Sequence, residues 1–248
     1  MSRWDRVTAA VIVFDASEFY ALHTGPASRI GMGAAASAAE IDVMLAIHDA
    51  GEFEVLTGKV ALCDPGHLAA GSAGSLQDRP VDETVPIFAS VPVGRHLVLL
   101  TTATEPGDDH CQVLAYLSLV FSDAPTTAIT PWIAEGGGSR CGEPANNFLT
   151  VDGGVAGLLD AAGADRIPSG FDVVRAIDRA LIANKLWANI PLPIAETSET
   201  VVACRSGKGA FPVMQSLDAQ GNVTGLHVDF AVVGPRSRKA WWKSRHLH

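Results

Sequence analysis

The chain has little of several features that mark particular classes of protein. Its 248 residues include only four cysteines, and none of them forms a CxxC pair or a zinc-ligand spacing. No apolar run is long enough to cross a membrane as a helix, since the run over residues 8–14 is followed at once by Asp15 and Glu18. We therefore expect no zinc module, no membrane span and no secretory leader, and the unpaired thiols predict a cytoplasmic protein.

Charge is also scarce, at 18% of residues against 48% hydrophobic residues, and this balance is typical of a globular chain. The formal charge is −9, but residues 236–248 carry five Lys or Arg and no acid, which leaves −14 on the rest. An acidic body repels nucleic acid and anionic membranes, so we expect neither as a partner. The same charge favours a basic protein partner.

The sequence divides into two parts. Residues 1–235 predict a single globular domain, since no internal repeat and no linker interrupts them. Residues 236–248 form a basic tail, and we expect its Trp241 and Trp242 to dock on the domain or on a second copy of the chain. The tail is thus the candidate contact for a homo-oligomer.

Short apolar runs separated by turn residues predict a strand-rich fold. We expect strands over residues 8–14, 52–62, 86–90, 95–103, 111–121 and 148–151. Capping residues and apolar spacing predict helices over residues 38–50, 155–162 and 170–186, with loops over 23–36 and 123–146. Because most connections are short, antiparallel pairing is favoured. The sequence therefore predicts an α+β or mainly-β fold, an antiparallel sandwich or bent sheet with two or three helices packed to one side.

Residues 200–233 predict a three-stranded meander around which the domain is organised. Its turns fall at residues 206–209 and 218–222, where Gly, Asp and Asn are concentrated. In the last strand His227 and Asp229 alternate with apolar residues. This alternation predicts one buried face and one polar face.

Several short motifs follow one another in a definite order over residues 50–233. The later ones are Ser206-Gly207, Gly209, Phe211-Pro212-Val213, Asp218 with Gly221, and Val228-Asp229-Phe230. The earlier ones are Gly58-Lys59-Val60, Cys63-Asp64-Pro65, Val91-Pro92 with Gly94, residues 115–121, and Val151-Asp152-Gly153 with Asp160. Their order resembles the DUF4241 family, a bacterial family of unknown function, and the resemblance implies an accessory or toxin-neutralising protein. The family turn often carries an acidic residue where this chain has Lys208, which argues against a carboxylate function there.

Four carboxylates at strand ends or turns are candidate catalytic residues: Asp64, Asp152, Asp160 and Asp229. If the strands converge, three of these side chains would meet and bind a cation or share a proton. Alternatively each caps a turn or a helix, as Asp commonly does. His227 shares a strand face with Asp229, so the pair would either orient a base or form a solvent-exposed ion pair. No residue set predicts a particular metal site, and no cofactor is assigned.

The turn Ser206-Gly207-Lys208-Gly209 is a candidate ligand-binding loop. Successive glycine amides form anion-binding nests, and Lys208 would add positive charge. The alternative is an ordinary hairpin turn, because a strand rather than a helix follows and the spacing does not match a phosphate-binding loop. A base such as His227 would be needed to activate Ser206, and no nucleophile-elbow motif accompanies it.

Two function classes follow. The first is a non-catalytic cytoplasmic binding or accessory module, immunity-like, that binds a basic protein partner. The second is a hydrolase or metal-dependent enzyme built on the clustered carboxylates. Carboxylates gathered in one concave pocket would favour the enzyme, whereas dispersed, capped carboxylates would favour the binding module.

Overall fold

The computed structural model describes residues 14–15, 19–29, 41–67, 86–107, 112–132, 148–168, 170–184, 186–194 and 198–233. This part of the chain contains fourteen strands. They are β1 Phe14–Asp15, β2 Gly25–Arg29, β3 Ile41–Val55, β4 Lys59–Cys63, β5 Ile87–Ser90, β6 Gly94–Thr104, β7 Gln112–Val120, β8 Ala128–Pro131, β9 Phe148–Val151, β10 Val155–Asp160, β11 Trp187–Pro191, β12 Thr200–Arg205, β13 Gly209–Leu217 and β14 Val223–Asp229. Two α-helices, α1 Ala161–Arg166 and α2 Val173–Asn184, and a short 3-10 helix, Pro65–His67, complete the described elements.

The strands form two sheets in which every recorded pairing is antiparallel. The larger sheet has the order β1-β8-β13-β14-β7-β6-β3-β2, and β9 pairs with the start of β13. The smaller sheet has the order β11-β12-β10-β4-β5. The mainly-β, antiparallel class predicted from the sequence is therefore confirmed.

The main core lies between the two sheets. Leu117 and Leu119 of β7 and Val228 of β14 face Leu158 and Val202 of the smaller sheet, and all five are at most 2% exposed. Burying an aliphatic side chain of this size contributes about 1.5–3 kcal/mol. Because strand side chains alternate, the residues between these leucines point to the opposite face of the larger sheet.

The helices cover the outer face of the smaller sheet. Val173, Ile177 and Leu181 lie one helical turn apart on α2 and pack on Val201 and Ala203 of β12. The carboxylate of Asp172 caps this helix by accepting a hydrogen bond from the Arg175 amide at 2.9 Å. The helix predicted over residues 170–186 is thus confirmed, and both helices lie on one side, as expected.

The helix predicted over residues 38–50 is wrong, because residues 41–50 lie in the 15-residue strand β3. Val43 and Leu45 are buried while Asp42 and Met44 are exposed, which is the two-residue period of a strand. Pairing with β2 on one side and β6 on the other outweighs the helical spacing of the apolar residues. Gly51, expected to end a helix, instead lies at a bulge of β3 with φ of +93°.

Two further predictions fail in the same direction, towards more strand. The helix predicted over residues 155–162 is wrong for most of this stretch, because β10 occupies 155–160 and the helix begins only at Ala161. The expected loops over residues 23–36 and 123–146 contain β2 and β8. The partners of β10 and β8, which are β4 and β13, lie far away in the chain, so the local pattern alone does not reveal them. Strand β2 pairs with the next strand, β3.

The predicted meander is also only half correct. Strands β13 and β14 form the expected hairpin, with a bulge between Ser216 and Leu217. The turn at 206–209, however, joins β12 of the smaller sheet to β13 of the larger one and closes no hairpin. The link at 91–93 likewise crosses between sheets, since β5 pairs with β4 and β6 pairs with β3 and β7.

Some predictions lie outside the described residues. These are the tail at 236–248 with its tryptophans, the first three residues of the helix predicted over 38–50, and most of the strand at 8–14. Neither α-helix in the described part has the length and apolarity required to span a bilayer.

Candidate functional site

Polar side chains gather on the outer face of the larger sheet, opposite the main core. His227 of β14 lies beside Ser118 of β7 and Met214 of β13 in the strand register. Ser216, two residues beyond Met214, points to the same face. His227 and Ser216 are each 1% exposed and Ser118 is fully buried, so the polar face predicted for β14 is real but covered.

Hydrogen bonds connect these side chains in a row. The two ring nitrogens of His227 contact serine hydroxyls, Nδ1 with Ser118 Oγ at 2.9 Å and Nε2 with Ser216 Oγ at 3.0 Å. Thr224 Oγ1 donates to Ser216 Oγ at 2.8 Å, and Thr126 Oγ1 lies 3.4 Å from Thr224 Oγ1. We call the five residues Ser118, His227, Ser216, Thr224 and Thr126 the polar chain. Bonded in this way, polar groups are stable in a buried position.

Residues 19–23, which we call the strap, cover part of this face. The hydroxyl of Thr101 on β6 donates a hydrogen bond to the carbonyl of Ala21, which is fully buried. The ring of Phe19 lies edge-on to His227, with ring centroids 5.3 Å apart. The amide of His23 donates to the Tyr20 carbonyl at 3.2 Å and turns the strap back. The strap is therefore fixed to the sheet beside the polar chain.

A cavity of about 580 Å³ lies between the strap, the sheet and residues 122–126. Its walls are mainly apolar, from Phe19, Ile47, Leu99, Val120 and Ile129. His227, Ser216 and Thr224 also line it, and we call these three residues the floor. The exposed residues Leu22, His23 and Asp123 lie at its rim. The loop at one end is held to β14, since the Phe121 amide donates to the Thr224 carbonyl at 2.8 Å.

Burial determines the charge state of the floor. It lowers the pKa of His227 from 6.5 to about 3, because the charged imidazolium loses its hydration there. The ring is therefore neutral at physiological pH and carries one N–H donor and one acceptor nitrogen.

Asp229 lies two residues from His227 on the same face of β14, but the two side chains do not form the predicted pair. Asp229 accepts a hydrogen bond from the Ala231 amide at 2.8 Å, and Ala231 has φ of +57°. Burial raises the pKa of Asp229 from 3.8 to about 7, against the opposing effect of that hydrogen bond. Burial also raises the pKa of Tyr116, its cross-strand neighbour, and the charge of Asp229 adds to this.

Asp64 and Asp152 lie together, but only Asp64 offers its side chain. The buried carboxylate of Asp64 accepts hydrogen bonds from the amides of Gly66 at 2.9 Å, Asp152 at 2.9 Å and Gly153 at 2.5 Å. Asp152 contributes its backbone, and its side chain is exposed. Asp64 therefore fixes the turn between β9 and β10 to the end of β4.

Asp160 lies at the other end of the β4–β10 pair, opposite Val60 in the register. Its buried carboxylate accepts from the amides of Leu56 at 2.8 Å, Thr57 at 3.0 Å and Ala162 at 3.0 Å, and so caps α1. The guanidinium of Arg166 bridges to Glu199 and lies 3.9 Å from Asp160. This carboxylate is a structural cap.

The Ser206–Gly207–Lys208–Gly209 turn is remote from the polar chain. It precedes β13 at the end opposite to the residues that pair with His227. The amides of Ser206 and Gly207 donate to the Gly154 carbonyl at 3.1 and 3.3 Å, which leaves them unavailable for an anion. Lys208 is exposed. The turn thus connects the two sheets and does not bring Ser206 to a histidine.

The four predicted carboxylates therefore do not gather in one site: Asp64 lies beside the backbone of Asp152, Asp160 lies at the other end of the β4–β10 pair, and Asp229 lies in the larger sheet. In the described part of the chain no three His, Cys, Asp or Glu side chains lie close enough to hold a metal ion. His227 is the one predicted residue in the cavity, whereas Ser118, Ser216, Thr224 and Thr126 are not among the site residues predicted from the sequence. The available signal was that Ser118 and His227 interrupt apolar strands in an alternating pattern.

Comparisons of this chain with protein-family models, with curated proteins and with solved structures found no match. The resemblance to the DUF4241 family stays a prediction. The chemistry of the cavity rests on the side chains that line it.

Proposed function

We propose that this chain is a cytoplasmic, non-catalytic binding module and that the cavity on the larger sheet is its binding site. The observation that carries the proposal is the buried polar floor, Ser216, Thr224 and His227, in a mainly apolar cavity of about 580 Å³. Small-molecule sites in proteins share this composition and have volumes of roughly 300–1,000 Å³.

The state of His227 supports binding over catalysis. General bases work best with a pKa near the operating pH, whereas burial lowers that of His227 to about 3. Both ring nitrogens contact serine hydroxyls, so no carboxylate orients the ring as in a nucleophilic triad. Asp229 has a more suitable pKa, about 7, but does not line the cavity.

The alternative enzyme built on the carboxylates has less support. Asp64 and Asp160 each accept three backbone hydrogen bonds and occupy opposite ends of the β4–β10 pair. Asp152 is exposed and Asp229 belongs to the other sheet. Dispersed caps of this kind are structural.

A basic protein partner, with an immunity-like role, is the second candidate, and the charge of the chain favours it. Asp42, Asp49 and Glu52 are exposed along β3, and Arg95 lies 3.7 Å from Glu52 as a partial counter-charge. Such an interface would weaken steeply with added salt, whereas occupation of the apolar cavity would not.

A thermal-shift screen against small metabolites, nucleotides and divalent cations tests the proposal. A ligand at about 100 times its Kd adds about 2.7 kcal/mol of stability, which such a screen detects. Ala124 lines the cavity, so Ala124→Trp should fill it and abolish the shift. The matched variant Ala219→Trp lies in the exposed turn after β13 and should retain the shift.

Two results would contradict the proposal. A ligand shift that is the same in both tryptophan variants would place binding elsewhere. A metal-dependent shift abolished by Asp152→Ala would instead favour the carboxylate enzyme.

A further inference from the structure

We propose that the cavity selects a neutral, mainly apolar small molecule that donates an N–H or O–H hydrogen to the floor. This inference rests on the proposed binding function and adds the chemical class of the ligand. It follows from counting the hydrogen atoms of the floor.

The hydroxyl hydrogens of the floor are already used. A hydroxyl has one hydrogen and two lone pairs. Thr224 spends its hydrogen on Ser216 Oγ at 2.8 Å. Ser216 in turn has two acceptors within reach, His227 Nε2 at 3.0 Å and the Gly225 carbonyl at 3.4 Å. Neither hydroxyl therefore has a hydrogen to offer a ligand.

His227 offers no hydrogen in either tautomer. With the proton on Nδ1, the ring donates to Ser118, and Nε2 accepts from Ser216. With the proton on Nε2, the ring donates to Ser216, whose own hydrogen then goes to Gly225. Thr224 Oγ1 has two lone pairs, and the Thr126 hydroxyl, 3.4 Å away, reaches one of them. The other lone pair of Thr224 is the acceptor that the floor offers a ligand. A ligand that reaches the floor must therefore bring the donor.

The walls determine the rest of the ligand. Leu99, Val120 and Ile129 surround the floor with hydrocarbon, so a formal charge there would lose its hydration without an ionic partner. A neutral polar group on an apolar body avoids this cost. Charged substituents are compatible only with the rim, where His23 and Asp123 are exposed.

A matched pair of fluorescent probes tests the inference. N-Phenyl-1-naphthylamine is neutral and apolar and carries a single N–H, and its N-methyl derivative lacks that hydrogen. We expect saturable binding of the amine, with fluorescence enhancement, and about tenfold weaker binding of the N-methyl derivative. One buried hydrogen bond accounts for a difference of this size. The sulfonated analogue, 1-anilinonaphthalene-8-sulfonate, should bind more weakly than the amine.

The same two tryptophan variants locate the binding. Ala124→Trp should weaken the amine at least tenfold, and Ala219→Trp should leave its Kd unchanged. Far-ultraviolet circular dichroism checks that both variants fold. If Ala124→Trp does not fold, Val120→Phe, which adds volume to the cavity wall, takes its place.

The outcomes separate the two proposals. Equal binding of the amine and its N-methyl derivative, with both lost in Ala124→Trp, would overturn the donor requirement and leave the binding function intact. Failure of both probes to bind, or binding indifferent to Ala124→Trp, would overturn both.

Discussion

His227 and Asp229 lie two residues apart on β14, and burial shifts their pKa values in opposite directions. The pKa of His227 falls from 6.5 to about 3, and that of Asp229 rises from 3.8 to about 7. Between pH 3.8 and 6.5 the unfolded chain therefore carries a proton on His227, and the folded chain carries one on Asp229. Folding exchanges no net proton at this pair, so its two contributions to the pH dependence of stability cancel.

Each contribution has a definite sign. The folded pKa of His227 is depressed, so its contribution is complete above pH 6.5 and is lost as the pH falls towards 3. The folded pKa of Asp229 is raised, so its contribution is complete below pH 3.8 and is lost as the pH rises towards 7. Each loss amounts to about 1.4 kcal/mol per pH unit.

Replacing either residue should reveal the pH dependence of stability that the other residue contributes. As the pH falls from 6.5 to 4.5, the free energy of unfolding of Asp229→Asn should fall by about 1–3 kcal/mol relative to that of the wild-type protein, because the contribution of His227 is no longer offset. His227→Gln should gain a similar amount over the same range. The lower end of the range, about 1 kcal/mol, allows for the partial exposure of Asp229. Solvent reduces the shift in its pKa and so narrows the pH range over which its contribution changes.

Urea unfolding at pH 4.5, 5.5 and 6.5, followed by tryptophan fluorescence, measures these differences. Asp178→Asn, an exposed charge removal on α2, controls for the change in net charge. Profiles of Asp229→Asn and His227→Gln that stay parallel to that of the wild-type protein would refute the reasoning. Slopes of the same sign in both variants would refute it equally.

Three further predictions concern groups with structural roles. Gly153→Ala should destabilise the protein by about 1–3 kcal/mol in urea unfolding, because its Cβ would lie 3.1 Å from both oxygens of a fixed carboxylate, whereas Gly170→Ala, in open space, should cost less than about 0.5 kcal/mol. Asp160→Asn should lower the free energy of unfolding by about 2–3 kcal/mol, because it replaces one of the two carboxylate oxygens that together accept hydrogen bonds from three backbone amides. A decrease below about 0.5 kcal/mol would contradict the role of Asp160 as a cap. Burial raises the pKa of Cys63 to about 12 and that of Cys204 further, so neither should react with an aromatic disulfide in the native protein at pH 8, as peptide mapping would show.

The fold class was predictable because it depends on the local alternation of apolar and polar residues, which most of the strands show. The long strand β3 was not, since Ile41, Leu45 and His48 also fit a helical period and the deciding hydrogen bonds come from β2 and β6. The turn at 206–209 shows the same limit. Its glycines predict a turn, but only the partners of β12 and β13 determine that it joins two sheets.

The candidate site was predictable only in part. The alternation of His227 with Leu226 and Val228 identified a polar face of β14, but solvent was the expected neighbour of that face. The strap that covers it comes from residues 19–23, about 200 positions earlier in the chain. No pattern within residues 200–233 could indicate a contact of that range.

The polar chain is less favourable for the stability of the fold than apolar side chains would be at the same positions. The opposite face of the same strands is filled by leucine and valine, and similar residues in place of Ser118, Ser216, Thr224 and His227 would remove the requirement for buried hydrogen bonds at these four positions. Proteins generally retain such locally unfavourable features at functional sites. A cavity that has mainly apolar walls, is partly covered by the strap and offers acceptors on its floor is complementary to one class of ligand, an apolar molecule that carries a hydrogen-bond donor.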